Sequence, residues 1–107
     1  MANNYKNSKV DLTATTVTTL YTAPVATQAI VKSILVSNDT GSETTLTLTI
    51  TDSASAVFSV YKLESIGALS TKELLIQPLI VMESEILKLT ATSANALHVI
   101  ASYLEVT

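Results

Sequence analysis

Residues 45–51 read Thr-Leu-Thr-Leu-Thr-Ile-Thr, an apolar side chain at every second position with a threonine on either side. A strand sends successive side chains to opposite faces, so Leu46, Leu48 and Ile50 share one face and Thr45, Thr47, Thr49 and Thr51 the other. A helix, with a period of 3.6, gathers neither set. Just upstream, Ala29–Val36 is a run of β-formers that includes Ile30, Val31, Ile34, Leu35 and Val36, and Asn38-Asp39-Thr40-Gly41-Ser42 separates it from the alternating run. Two such runs joined by about five to seven turn-type residues predict an antiparallel hairpin over Ala29–Ile50.

The rest of the chain repeats this punctuation. Residues 1–8 are polar and asparagine-rich, which predicts a flexible N-terminal arm ahead of a single domain over residues 9–107. Val10–Ala14 and Thr16–Thr22 read as short strands, ended at Ala23-Pro24 because proline lacks a ladder donor. Ala56–Leu63 predicts a strand with Phe58 and Val60 on one side and Val57 and Tyr61 on the other, turning at Glu64–Gly67. Thr71–Gln77 is short and closed by Pro78, which favours a strand over a helical turn. Leu79–Met82, a turn at Glu83-Ser84-Glu85, and strands over Ile86–Thr92 and Ala96–Val106 complete the chain. In the last of these, Leu97, Val99, Ala101 and Tyr103 fall on one face, and Ile100, Leu104 and Val106 on the other. About eight strands at regular spacing predict an all-β protein, an antiparallel jelly-roll-like sandwich rather than a five-stranded barrel.

A sandwich buries one face of each sheet, yet Ala29–Val36 and Ala96–Val106 are apolar on both. Their outer faces are therefore covered either by loops or by another subunit. Charged residues are 14% of the chain against about 25% in an ordinary soluble domain. That low charge favours the second alternative, a homo-oligomer, with a trimer as the expectation. No run approaches the roughly 18 apolar residues of a membrane helix, and the opening residues lack the apolar core of a secretory signal. Without cysteine there is no disulfide framework or thiolate metal site. Six scattered lysines, no arginine and a net charge of −3 offer no basic stripe for nucleic acid.

Reactive constellations are equally scarce. His98 is the single histidine, and a catalytic dyad or histidine metal site needs partners that the chain does not supply nearby in sequence. On the face shared with Ile100, Ser102 and Leu104 it reads as a hydrogen-bonded packing residue, with pH-sensitive assembly as the functional alternative. Asp39-Thr40-Gly41-Ser42-Glu43 lacks the alternating oxygens of a calcium loop, and two glycines cannot build a phosphate cradle. Glu83 and Glu85 read as solvated turn residues, and Asn38-Asp39-Thr40 matches the N-glycosylation pattern inside a turn. A sugar-cleaving pair would want stacking aromatics, and there is no tryptophan. No catalytic, cofactor-binding or metal-binding residue is expected, and the chain reads as a non-enzyme.

Thr19-Leu20-Tyr21-Thr22-Ala23-Pro24, then Ala29-Ile30-Val31-Lys32-Ser33-Ile34 and Val36-Ser37-Asn38, resemble the small virion structural proteins of tailed bacteriophages. Pro78-Leu79-Ile80-Val81, Ile86-Leu87-Lys88-Leu89-Thr90-Ala91 and Val99-Ile100-Ala101-Ser102-Tyr103-Leu104-Glu105 resemble the closing strands of the same group. The resemblance spans roughly residues 15–106. Where many of those proteins have a glycine before the penultimate strand, this chain has Glu83-Ser84-Glu85. The resemblance implies a repeated sandwich subunit located in the virion, partnered with itself and with the major capsid protein as a decoration (cement) protein. A tail, baseplate or fibre component bound to tail proteins is the alternative, and a carbohydrate- or receptor-binding sandwich a further one. Residues 1–9, Asn38–Thr44 and Ser53–Ala56 are the expected docking stretches, since sandwich loops gather at the ends.

Overall fold

The alternation at 45–51 is a strand, and its neighbours are strands as well. A computed structural model describes residues 3–107 as β1 (Asn3–Leu12), β2 (Thr18–Thr22), β3 (Gln28–Asn38), β4 (Thr44–Thr51), β5 (Val57–Ile66), β6 (Thr71–Glu73), β7 (Leu79–Val81), β8 (Ile86–Ala91) and β9 (Leu97–Val106). They form two antiparallel sheets: one in the order β1-β9-β3 with β6 and β7 both on the far side of β3, the other in the order β2-β8-β4-β5. β6 pairs with Leu35–Ser37 and β7 with Ala29–Val31, so the two short strands share one edge position. Eight positions in two four-position sheets, with this order, make a jelly roll.

The predicted β3–β4 hairpin does not form. β3 and β4 lie in different sheets, and the loop between them crosses the sandwich. Among the described strands, β4 and β5 are the one pair that are both consecutive in sequence and joined in one ladder. Turn residues between two alternating runs are needed by an arch between sheets as much as by a hairpin, so the local pattern fits both.

Residues 3–8, expected within a flexible arm, are instead the first part of β1, in register with β9 from Asn3↔Val106 to Leu12↔Leu97. Their polarity suits an edge strand, whose ladder is made of backbone groups and needs no apolar side chains. Residues 1 and 2 of that arm lie outside the described residues. The strand expected over Thr71–Gln77 ends at Glu73, and the turn expected at Glu64–Gly67 begins only after Ile66. In β5 the register slips between Leu46 and Leu48 and again between Leu48 and Thr49 of its partner. Such bulges break the simple parity expected for Val57, Phe58, Val60 and Tyr61 on this edge strand.

Between the sheets lies one core. Val31, Ile34 and Val36 of β3, Leu46 and Leu48 of β4, Leu87 and Leu89 of β8 and Leu97 and Val99 of β9 are buried, at a period of two that a bulge after Val31 shifts by one in β3. Among the described residues six non-glycines take positive φ (Ala26, Ser55, Leu63, Leu69, Ser84 and Asn95), and neither glycine does. Ser84, in the turn where the resemblance leads one to expect glycine, has φ 66°, the left-handed geometry that glycine adopts without strain.

Candidate interaction surface

The two outer faces of the sandwich are chemically unlike. On the β2-β8-β4-β5 sheet, Thr47 lies opposite Thr90, and Thr49 and Thr19 flank Lys88. This is the threonine face expected from the alternation. On the other sheet, the residues opposite one another in the ladder form rows across the strands. One row is Tyr5, Leu104, Ile30 and Ile80, from β1, β9, β3 and β7; another is Lys9, Ile100, Leu35 and Glu73, from β1, β9, β3 and β6. Tyr5 is 76% exposed, Ile80 48%, Ile100 41% and Leu35 40%. The apolar side chains read on the second face of Ala29–Val36 and Ala96–Val106 are therefore open to solvent in the single chain, in two rows separated by the polar row Asn7, Ser102 and Ser33.

At one end of this face sits His98. Its Nδ1 lies 2.8 Å from Asp39 Oδ2 and its Nε2 3.2 Å from Asp11 Oδ1, all three side chains about half exposed. A neutral imidazole donates from one nitrogen only, so both contacts are hydrogen bonds when the ring is protonated. The trio joins β1, β9 and the β3–β4 loop. Asp11 and His98 are ladder partners, a relation visible only once β1 is known to pair with β9. Among the described residues no group of three or more His, Cys, Asp or Glu side chains, this trio included, is arranged to hold a metal ion.

At the opposite end, inside the sandwich, buried Glu105 is held by two partners. Lys6 Nζ lies 2.8 Å from one carboxylate oxygen, and the Tyr21 hydroxyl donates to the other at 2.6 Å. Those two hydrogen bonds, Lys6 first, hold the Glu105 carboxyl below the usual range. Burial, and then the bond to Glu105, raises the Tyr21 phenol, and the Glu105 bond raises Lys6. The Tyr21 ring also meets Tyr103, with centroids 4.3 Å apart. Glu105 thus ties β1 and β9 in one sheet to β2 in the other. Nothing in the local sequence signals this trio, because its members are far apart along the chain.

The remaining candidate residues hold loops. Asn38 is buried; its Nδ2 donates to Ser42 O and Ile66 O, and its Oδ1 accepts from Thr40 N and Oγ1. The amide nitrogen that a glycan would occupy is thereby engaged within the fold. Glu83 and Glu85, read as merely solvated, accept from the amides of Ala26 and Met82. The expected docking stretches do not converge: Asn38–Thr44 lies at the end where Leu12 meets Leu97, Ser53–Ala56 at the other, and residues 3–9 run along an edge.

No protein-family model matches the chain, and no curated protein does. Among solved structures the chain is similar to one in the structure of infectious bursal disease virus Gt strain, with a TM-score of 0.48 and 9% identity. The similarity covers 98% of this chain and 30% of that one, so the chain spans less than a third of the length of its structural neighbour.

Proposed function

We infer that this chain is a non-enzymatic structural protein of a virion, a capsid decoration protein of the tailed-phage kind that associates with copies of itself and binds the major capsid protein. One observation carries this reading: a jelly roll with one threonine-coated outer face and another whose rows of large apolar side chains are left open in the single chain. Large apolar side chains lined up in a row across an exposed sheet mark an interaction site. A subunit repeated by symmetry needs only a modest contact at each copy to reinforce a shell. The resemblance of Thr19–Pro24, Ala29–Asn38 and the closing strands to small phage virion proteins supplies the biological setting. Two tests bear on it directly. Light scattering on the purified chain is expected to give a multiple of 11.3 kDa. Particles assembled without the protein are expected to form but to break at lower temperature or milder osmotic shock. Particles equally robust without it would overturn the decoration role.

A further inference from the structure

We propose that β1 is an exchangeable strand, and that in the assembled oligomer the β9 edge of one copy is completed by β1 of another. This rests on the self-association proposed above and adds to the apolar rows a second contact between copies. Four observations carry it.

First, β1 is held with little apolar burial. Of its inward positions Asn4, Lys6 and Ser8 are polar, Val10 is half-buried against the core, and Leu12 alone is fully buried. A strand so attached can leave by giving up one end of the core, most of which lies between β3, β9, β4 and β8. Second, what does hold it is specific to β9 and its surroundings. Lys6 pairs with Glu105, Asp11 with His98, and Ser8 Oγ donates to Leu20 O at 2.7 Å. The groove beside β9 is thus complementary in charge and register to this one strand, and a second copy carries the identical strand.

Third, the connection from β1 to β2 is Thr13-Ala14-Thr15-Thr16-Val17, exposed throughout. Every other connection between strands contains at least one Gly, Pro, Asn, Asp or Ser; this one has none, and four of its five residues are β-branched. β-branched residues favour extended backbone, so the connector is suited to run straight from β1 to β2 and poorly suited to fold back. Fourth, exchange between copies reproduces every contact of the closed chain and removes the need for the bend. That is the low-cost route to a symmetric oligomer.

The absence of cysteine makes a direct test possible. Asn7 and Ser102 are ladder partners on the exposed face of β1 and β9, at a spacing that a disulfide spans. The double variant Asn7→Cys/Ser102→Cys, purified as the oligomer that forms on expression and then oxidised, is run on a denaturing non-reducing gel. Single-cysteine variants treated alike give the background of chance cross-links. If β1 is exchanged, most of the protein runs as covalent dimers or trimers that return to 11.3 kDa on reduction, and the largest band gives the ring size. Placing a turn in the connector with Thr15→Asn/Thr16→Gly is then expected to move the cross-link within one chain. A cross-link found only within single chains overturns the exchange. With an oligomeric native mass that result leaves the self-association standing; with a monomeric mass both fail. Should the first pair misfold, Lys9→Cys/Ile100→Cys, also ladder partners, gives the same reading.

Discussion

Ser84 and Gly41 carry the wrong residue for their backbone, in opposite senses. Ser84 sits at φ 66° in a turn, whereas Gly41 has no positive φ and no atom within 4 Å of the place its Cβ would take. Left-handed geometry costs an L-residue about 1–2 kcal/mol, part of which a glycine returns as chain entropy, so Ser84→Gly is expected to stabilise by about 0.5–1 kcal/mol. Gly41→Ala should add about 0.4–1 kcal/mol by restricting the unfolded chain. Urea midpoints of the two variants check both. Asn38 is the contrary case. Asn38→Ala strips the buried side-chain donors and acceptor that hold the exposed β3–β4 loop and is expected to cost about 2–3 kcal/mol, read as a lower thermal midpoint. Glu105 adds a pH dependence whose sign follows from its partners. Its folded carboxyl lies below the ordinary value, so its contribution is present above about pH 5 and is lost as pH falls through the folded pKa. Lys6 and Tyr21 are raised, so theirs is complete below about pH 10 and lost at higher pH. Denaturation across pH is expected to show both limbs, with the acid limb shallower in Glu105→Gln.

Among the elements, the broken edge formed by β6 and β7 depends on a single side chain. β3 bulges between Val31 and Ser33, and the edge strand opposite is interrupted after Glu73. The Glu73 carboxylate fills the gap: Oε2 accepts from Ile34 N at 2.8 Å and Leu75 N at 3.1 Å, and Oε1 accepts from Ser33 Oγ. It stands in for the missing ladder carbonyls. Glu73→Ala leaves the partly buried Ile34 amide unpaired and is expected to cost about 1–3 kcal/mol, while Glu73→Gln, which keeps an acceptor oxygen, should cost less. Hydrogen exchange at Ile34 would locate the effect. The same region marks where the sequence stopped being legible. The alternation in β8, in β9 and in β4 as far as Thr49 predicts which side chains are buried, because a strand's two faces follow from parity alone. At the end of β4 it fails: Thr51, expected on the wet face, is buried and Ile50 is only half-buried. Whether β3 pairs with β4 or arches over the core does not follow, since both need the Asn38–Ser42 turn. β1 was obscured because its ladder uses backbone groups and its side chains stay wet. The Asp11–His98–Asp39 and Lys6–Glu105–Tyr21 trios were hidden for a related reason: each is assembled by the β1–β9 register, which no local pattern encodes.

For the molecule as a whole, the difference between its two outer faces is the feature that folding alone does not explain. Both sheets could have been coated with threonine, as the β4 side is, at no loss to the core. Instead the ladder of β1, β9, β3 and β7 lines up Tyr5, Leu104, Ile30 and Ile80 across its outer surface. Burying such residues is worth about 25 cal/mol per Å² of apolar surface, and that stabilisation is unused while the chain is alone. Ile80 tests whether it is used on association. It lies on a short edge strand and its side chain points away from the core, so Ile80→Lys should change the stability of the single chain by no more than about 0.5 kcal/mol. A lysine there would place a charge in the apolar row that a partner covers, and burying an unpaired charge is far costlier than losing an isoleucine. Ile80→Lys is therefore expected to lower the mass seen by light scattering, or to raise the concentration needed to reach it by at least tenfold. Thr47→Lys, the same charge on the threonine face, should leave association unchanged. If both variants associated like the parent chain, the apolar face would have no part in assembly. Loss of association in the first alone would make this sheet the one that meets its neighbours.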